Sequence, residues 1–289
     1  MLKRFLTAFL LTSFVVAMLV LGVTVSYHFL DGLILFFVTL GVYEMYKCLK
    51  VGGYNPYKTP IIIVALLAYP AWLFFKLPGL IGVFGVAFAV GLVIMTFKKD
   101  SSLNDLTATF FAMIYPYFML SPAFYMTENF CGIFAVAYAI FVPVMTDTMA
   151  YLVGSTMGKH KLCPTISPKK TVEGAVGGLL GGIIMSVVFY LLFEYFAVFG
   201  DKVAYIPFNE KQWASIVIYV VLGILGGVFS QLGDLAASPV KRKLGSVVKR
   251  QCGIKDYGTI FPGHGGSMDR IDSIMFMLVL LFVAFQIIY

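Results

Sequence analysis

A chain of 289 residues that is 60% hydrophobic and only 12% charged carries more apolar surface than a water-soluble domain of its size can bury, which excludes a soluble fold. A net charge of +7 without any soluble basic domain to present it argues against a nucleic acid partner. Cys48, Cys131, Cys163 and Cys252 form no C-x-x-C pair, so neither a zinc site nor a disulfide framework is indicated.

Apolar runs of bilayer length, roughly 20 residues each, and the polar punctuation between them divide the chain into nine expected spans. These lie at about 5–26, 28–47, 59–75, 78–97, 106–125, 130–155, 173–199, 213–234 and 271–289. The expected fold is therefore an all-α integral membrane protein with about nine transmembrane helices. It reads as a single polytopic domain over 1–289, with scaffold spans in 1–126 and the chemistry in 127–289. The N-terminus opens with the charge of a signal peptide, but its apolar run is too long and no A-x-A-like site follows, so it reads as the first span. With that end on the cytoplasmic side, every Lys and Arg except Lys76, Lys202 and Lys211 falls inside, as the positive-inside rule requires. A bacterial inner membrane with a cytoplasmic-face active site is the location expected, and anionic lipid headgroups and nucleotides are the ligands such a face attracts.

In the sixth span Asp147, Ala150 or Tyr151, Gly154 and Gly158 recur at three- and four-residue steps, placing one carboxylate above a groove of small residues. A charge within a bilayer costs on the order of 3 kcal/mol or more and usually marks a pathway or site; a helix-packing face with a satisfied Asp fits the same spacing. Ser167 before Pro168 reads as the N-cap and first residue of the seventh span, and with Lys169 and Lys170 the helix start would make an anion site. Ordinary juxtamembrane charge is the plainer reading. Gly174, Gly177, Gly178, Gly181 and Gly182 suit close helix packing.

Ser230, Asp234 and Ser238 share a face of the eighth span. Pro239 is expected to end that helix, with Ser238 capping a second one to about Gln251. Lys241, Arg242, Lys249 and Arg250 would then lie near lipid phosphates, unless this is a purely electrostatic surface helix. After Lys255-Asp256-Tyr257-Gly258 comes Phe261-Pro262-Gly263-His264-Gly265-Gly266, a loop too glycine-rich for a helix, and Asp269-Arg270-Ile271-Asp272 opens the last span. His264 reads either as structural or as a phosphate contact. Asp269 and Asp272, three apart, share a helix face, and with Asp234 could bridge one or two hard cations. Mg²⁺ suits so sparse a set, since it takes a few carboxylates together with substrate phosphate oxygens. Glu44 and Asp105 sit at inner ends of the scaffold half. Asp31 and Glu194 approach the outer face, where they are poor candidates for cytoplasmic chemistry.

The stretch from Lys249-Arg250 through Lys255-Asp256-x-Gly258 and Phe261-Pro262-Gly263-His264-Gly265-Gly266 to Met268-Asp269-Arg270-Ile271-Asp272 resembles the long C-terminal signature of the phosphatidate cytidylyltransferases. The resemblance extends to Gln231-Leu-Gly233-Asp234-Leu, to Ser167-Pro168-Lys169-Lys170-Thr171-x-Glu173-Gly174, and to Asp147-x2-Ala150-Tyr151-x2-Gly154. It covers about the last half of the chain. Two departures stand out: Ser-x2-Lys-Arg occurs twice, at 238–242 and 246–250, and Ser267 stands where a bulky apolar residue is usual.

The resemblance implies transfer of a cytidylyl group from CTP to phosphatidic acid in the lipid bilayer. It further implies Mg²⁺, and a second metal ion is compatible with it, held by Asp234 and Asp269 with Asp272 or Asp147 in support. Lys169, Lys170, Lys255 and Arg270 would offset phosphate charge, with Asp256 and His264 in the catalytic set. Ser167, Lys241, Arg242, Lys249, Arg250, Gly265 and Gly266 would contact substrate. A homodimer is an admitted assembly. Rival readings are a CTP-dependent polyprenol kinase and a membrane transporter, the latter motivated by intramembrane Asp147 and glycine-rich helices.

Overall fold

The computed structural model describes residues 2–129, 132–164, 167–196, 212–247, 257–258, 260–261 and 265–288. Its helices are α1 (Leu2–Thr24), α2 (His28–Val51), α3 (Lys58–Phe97), α4 (Leu103–Met113), α5 (Pro122–Asn129), α6 (Gly132–Met157), α7 (Val172–Tyr190), α8 (Gln212–Val247) and α9 (Met268–Ile288). Single π-helical segments, Ile114–Phe118 and Leu191–Tyr195, follow α4 and α7, and strands β1 (Lys161–Cys163) and β2 (Ser167–Thr171) form an antiparallel pair. Two compact units interleave along the chain: Met1–Leu35, Leu120–Pro239 and Asp269–Tyr289 form one, Phe36–Met119 and Val240–Met268 the other. The helical, membrane-spanning class expected from composition is the one observed.

In the second unit α3 is 40 residues long, and Lys76 inside it has φ 54° and ψ −141°. Residues eight apart on a straight helix are separated by about 12 Å. Yet a Cβ built on Gly79 would collide with the carbonyl oxygen of Ala71, and one on Gly91 would lie 3.8 Å from Pro60. The chain therefore reverses at Lys76, and α3 is a helical hairpin whose arms match the spans expected at 59–75 and 78–97. Seven helices among the described residues are long and apolar enough to cross a bilayer, rather than nine. This hairpin is one of the seven, and the first expected span has only the shorter apolar helix Phe9–Thr24.

The start of α4 is held by a capping box: the Ser102 hydroxyl accepts from the Asp105 amide at 3.2 Å and Asp105 Oδ2 accepts from the Ser102 amide at 3.2 Å. The other oxygen, Asp105 Oδ1, accepts the Asn55 amide at 2.7 Å, and Thr109 Oγ1 accepts that of Tyr57 at 2.7 Å. Asp105 thus anchors the turn before α3 as well as its own helix.

In the first unit Asp31 is buried and accepts from Thr127 Oγ1 at 2.6 Å, and it does not line the cavity described below. Two local expectations are corrected. The seventh span does not begin at Ser167. Residues 167–171 are strand, and Thr171 is the N-cap, its hydroxyl accepting from Gly174 N at 3.1 Å. Pairing with β1 is available to an extended Ser-Pro-Lys-Lys-Thr run, and it outcompetes an early helix start. Nor does Pro239 end the eighth span, because α8 runs unbroken to Val247. Ser238 does not cap; its hydroxyl donates to the Asp234 carbonyl at 3.0 Å. A proline inside a membrane helix is tolerated when neighbouring hydroxyls and packing satisfy the backbone groups it disturbs.

Lys76 occupies a backbone region that costs a non-glycine residue about 1–3 kcal/mol. Lys76→Gly is expected to raise the thermal unfolding midpoint of the detergent-solubilised protein, and Lys76→Val to lower it.

Candidate active site

The site is built where α6, α7, α8 and α9 of the first unit come close enough for their polar residues to meet. Glycine permits the approach. A Cβ on Gly174 of α7 would lie 2.8 Å from the Ala150 carbonyl of α6, and one on Gly182 would lie 2.6 Å from the Gly223 carbonyl of α8. A Cβ on Gly233 of α8 would lie 2.5 Å from the Asp272 carbonyl of α9. Each contact brings backbone against backbone, so α6 and α8 both close on α7 while Asp234 is carried beside the first turn of α9. Gln231 Nε2 adds a tie from α8, donating to the Ala175 carbonyl at 3.1 Å.

The β1–β2 hairpin reaches this site because the first turn of α7 grips it. Glu173 accepts from the backbone amides of Lys159 at 3.1 Å and His160 at 3.2 Å, and pairs with His160 Nδ1 at 2.6 Å. The Val172 amide donates to the His160 carbonyl at 2.9 Å. With both ends of the hairpin fastened, Lys170 Nζ lies 2.6 Å from Asp234 Oδ2. At 25% and 36% exposure such a pair adds no more than about 1 kcal/mol to stability. Its consequence is positional, since it holds a cation and a carboxylate ready at one point.

Together these elements enclose a cavity of about 440 Å³ lined by Asp147, Ala150, Tyr151, Gly154 and Ser155 of α6, Leu162 of β1, Lys169, Lys170 and Thr171 of β2, Gly174 and Ala175 of α7, Gln231 and Asp234 of α8, and Asp269 and Asp272 of α9. Four carboxylates and two ammonium groups thus face one space. Among the described residues no three His, Cys, Asp or Glu side chains stand close enough to form a ready metal cluster. Mg²⁺ does not require one, because it keeps several waters and binds through one or two carboxylates plus substrate phosphates. The donor set therefore fits a hard cation that arrives with a phosphate ligand, and fits a dedicated all-protein cage poorly.

Of the residues singled out in the sequence, Asp147, Lys169, Lys170, Asp234, Asp269 and Asp272 are brought together here. Ser167 lies on β2 outside the lining, and Arg270, in the first turn of α9, is exposed and outside it as well. Lys241, Arg242, Gly265 and Gly266 belong to the second unit. There the Lys241 ammonium lies 5.1 Å from the centre of the Tyr257 ring, and Gly265, at φ 84°, accepts the Phe261 amide at 3.1 Å. Lys249, Arg250, Lys255, Asp256 and His264 lie outside the described residues. Sequence reasoning did not assign Thr171, Leu162 or Ser155 to the site. Thr171 carried a signal, as a capping type three residues before Gly174, but the Ser-Pro pair upstream masked it.

The chain matches the cytidylyltransferase family over residues 2–288. It belongs to that family. The phosphatidate cytidylyltransferase of Staphylococcus haemolyticus (strain JCSC1435) is 35% identical over 196 residues, 68% of this chain and 66% of the relative. Those of Staphylococcus aureus (strain COL) and Staphylococcus saprophyticus (strain ATCC 15305) are 33% and 32% identical, over 76% and 72% of this chain and 85% and 79% of their own lengths. All three alignments are long enough to include cavity-lining helices of this cytidylyltransferase-family fold.

The glycine contacts can be checked directly. Gly174→Ala is expected to destabilise the protein by about 1–3 kcal/mol through overpacking, read as a lower thermal midpoint. Gly85→Ala, whose Cβ would meet nothing within 4 Å, should leave the midpoint unchanged or raise it.

Proposed function

We propose that this chain transfers the cytidylyl group of CTP to phosphatidic acid, forming CDP-diacylglycerol and releasing pyrophosphate. The observation that carries the reading is the cavity itself, in which four aspartates meet Lys169 and Lys170 in a member of the cytidylyltransferase family built of membrane-length helices. A lipid substrate reaches such a cavity from the bilayer, while a nucleotide reaches it from water. The distribution of Lys and Arg supports a cytoplasmic N-terminus and a cytoplasmic-face cavity, and the staphylococcal relatives support a bacterial inner membrane.

In the proposed reaction a phosphate oxygen of the lipid attacks the α-phosphorus of CTP in line. The new P–O bond forms as the bond to the bridging oxygen between the α- and β-phosphorus breaks, and pyrophosphate departs with that oxygen and its electron pair. A phosphate monoester is already ionised near neutral pH, so no side chain has to remove a proton from the nucleophile. The work left to the protein is positioning and charge compensation. Lys169 and Lys170 supply fixed positive charge to the triphosphate, and Asp234, already beside Lys170, keeps that ammonium oriented before substrate enters. Asp234 and Asp269 would hold Mg²⁺, supported by Asp272 or Asp147, and the ion when bound would neutralise charge on the phosphates.

Labelled CTP supplied with phosphatidic acid and Mg²⁺ to the purified protein should place label in the lipid fraction and release pyrophosphate in equal amount. With a polyprenol supplied as well, CDP together with a phosphorylated polyprenol would instead establish a kinase. Asp269→Asn is expected to abolish turnover while the protein remains folded in detergent; near-normal turnover at ordinary Mg²⁺ would remove Asp269 from the site.

A further inference from the structure

We propose that Glu44 of α2 is a positioning residue for the start of α9, holding the backbone that carries Asp269 to the cavity. The inference rests on the proposed cytidylyl transfer and deepens it.

Glu44 is 1% exposed, although a buried carboxylate is costly unless donors surround it. Its Oε2 accepts the amide of Met268 at 2.9 Å across 224 positions of sequence, and Met268 is the first residue of α9. That amide is one of the four N–H groups a helix leaves unsatisfied at its start. The N-cap side chain usually serves the second or third helical amide and leaves the first to another acceptor. Here the residue before α9 is Ser267, buried with a hydroxyl that makes no hydrogen bond among the described residues, so the N-cap side chain contributes nothing to this helix start. Glu44 therefore supplies the anionic oxygen to the N-terminus of α9, where the helix dipole favours negative charge. The glycine segment is shaped to admit it. A Cβ on Gly266 would lie 2.5 Å from Glu44 Oε2, and one on Gly258 would collide with Glu44 Oε1. Two glycines and one backbone amide thus form a cradle around a single carboxylate, within one compact unit. Asp269 follows Met268 directly and lines the cavity, so a shift of the Met268 amide is transmitted to Asp269 through one peptide bond.

The test uses the full chain in detergent. Glu44→Ala should lower kcat on the order of 10²-fold, the cost of misplacing a reacting group by about 1 Å. CTP affinity should change by less than about threefold, since the loss falls on turnover. Hydrogen exchange at the amides of 268–270 should accelerate. Glu44→Gln retains an acceptor oxygen and should recover part of both effects, because a neutral acceptor keeps roughly half the strength of a charged one. Gly258→Ala drives a methyl group into the carboxylate and should lower turnover by itself. Added to Glu44→Ala it should cost nothing more, because the group it strikes is gone.

Wild-type turnover in Glu44→Ala, unchanged exchange at 268–270, or full additivity of the two substitutions overturns the inference. Should Glu44→Ala fail to fold, undiminished turnover in Gly258→Ala is the overturning result. A wild-type chain that makes no CDP-lipid, yet shows the exchange change in Glu44→Ala, defeats the proposed activity and leaves the positioning role standing. An active wild type indifferent to Glu44→Ala defeats the role alone.

Discussion

A charge or backbone polar group in a hydrocarbon setting has no water to turn to, so it must be answered from within the protein. The acids of this chain show that constraint repeatedly. Asp31 is answered by Thr127, Asp105 by the amides of Asn55 and Ser102, Glu44 by the amide of Met268, and Asp234 by Lys170. The first three are used to fasten the fold. The fourth pair is different because it lies in a cavity with three further aspartates and Lys169, where a phosphate-rich ligand could take over the charges.

Bringing those groups together depends on how near helices can approach. Gly174 against Ala150, Gly182 against Gly223, and Gly233 against Asp272 place backbone on backbone, an approach that a larger residue would push apart. The glycines of α7 therefore act on the site through helix spacing, since they set the separation across which Asp147, Asp234 and Asp269 face one cavity. Glu173 works in a similar way by clamping the β1–β2 hairpin that carries Lys170.

Much of this was legible beforehand where the signal is local or periodic. Hydropathy identified the membrane class and the two arms of the α3 hairpin, and charge in apolar runs singled out Asp147 and Asp234. Signals that depend on competition between neighbours misled. Ser167-Pro168 resembles a helix start more than Thr171 does, yet strand pairing with Lys161–Cys163 decides the boundary. Pro239 resembles a helix end, yet α8 continues through it.

Composition, hydropathy and motif spacing by themselves determined that the chain is a helical membrane protein with acids and lysines suited to a phosphate substrate, because these properties depend on residue type and short-range order. Only the tertiary structure decided that Asp147, Asp234, Asp269 and Asp272 share one cavity and that Lys170 meets Asp234. It also turned Glu44, in the sequence only an acid at an inner end of the scaffold half, into the carboxylate at the head of α9. A contact spanning 224 residues leaves no trace in local pattern, since its two ends meet only after the helices between them have packed.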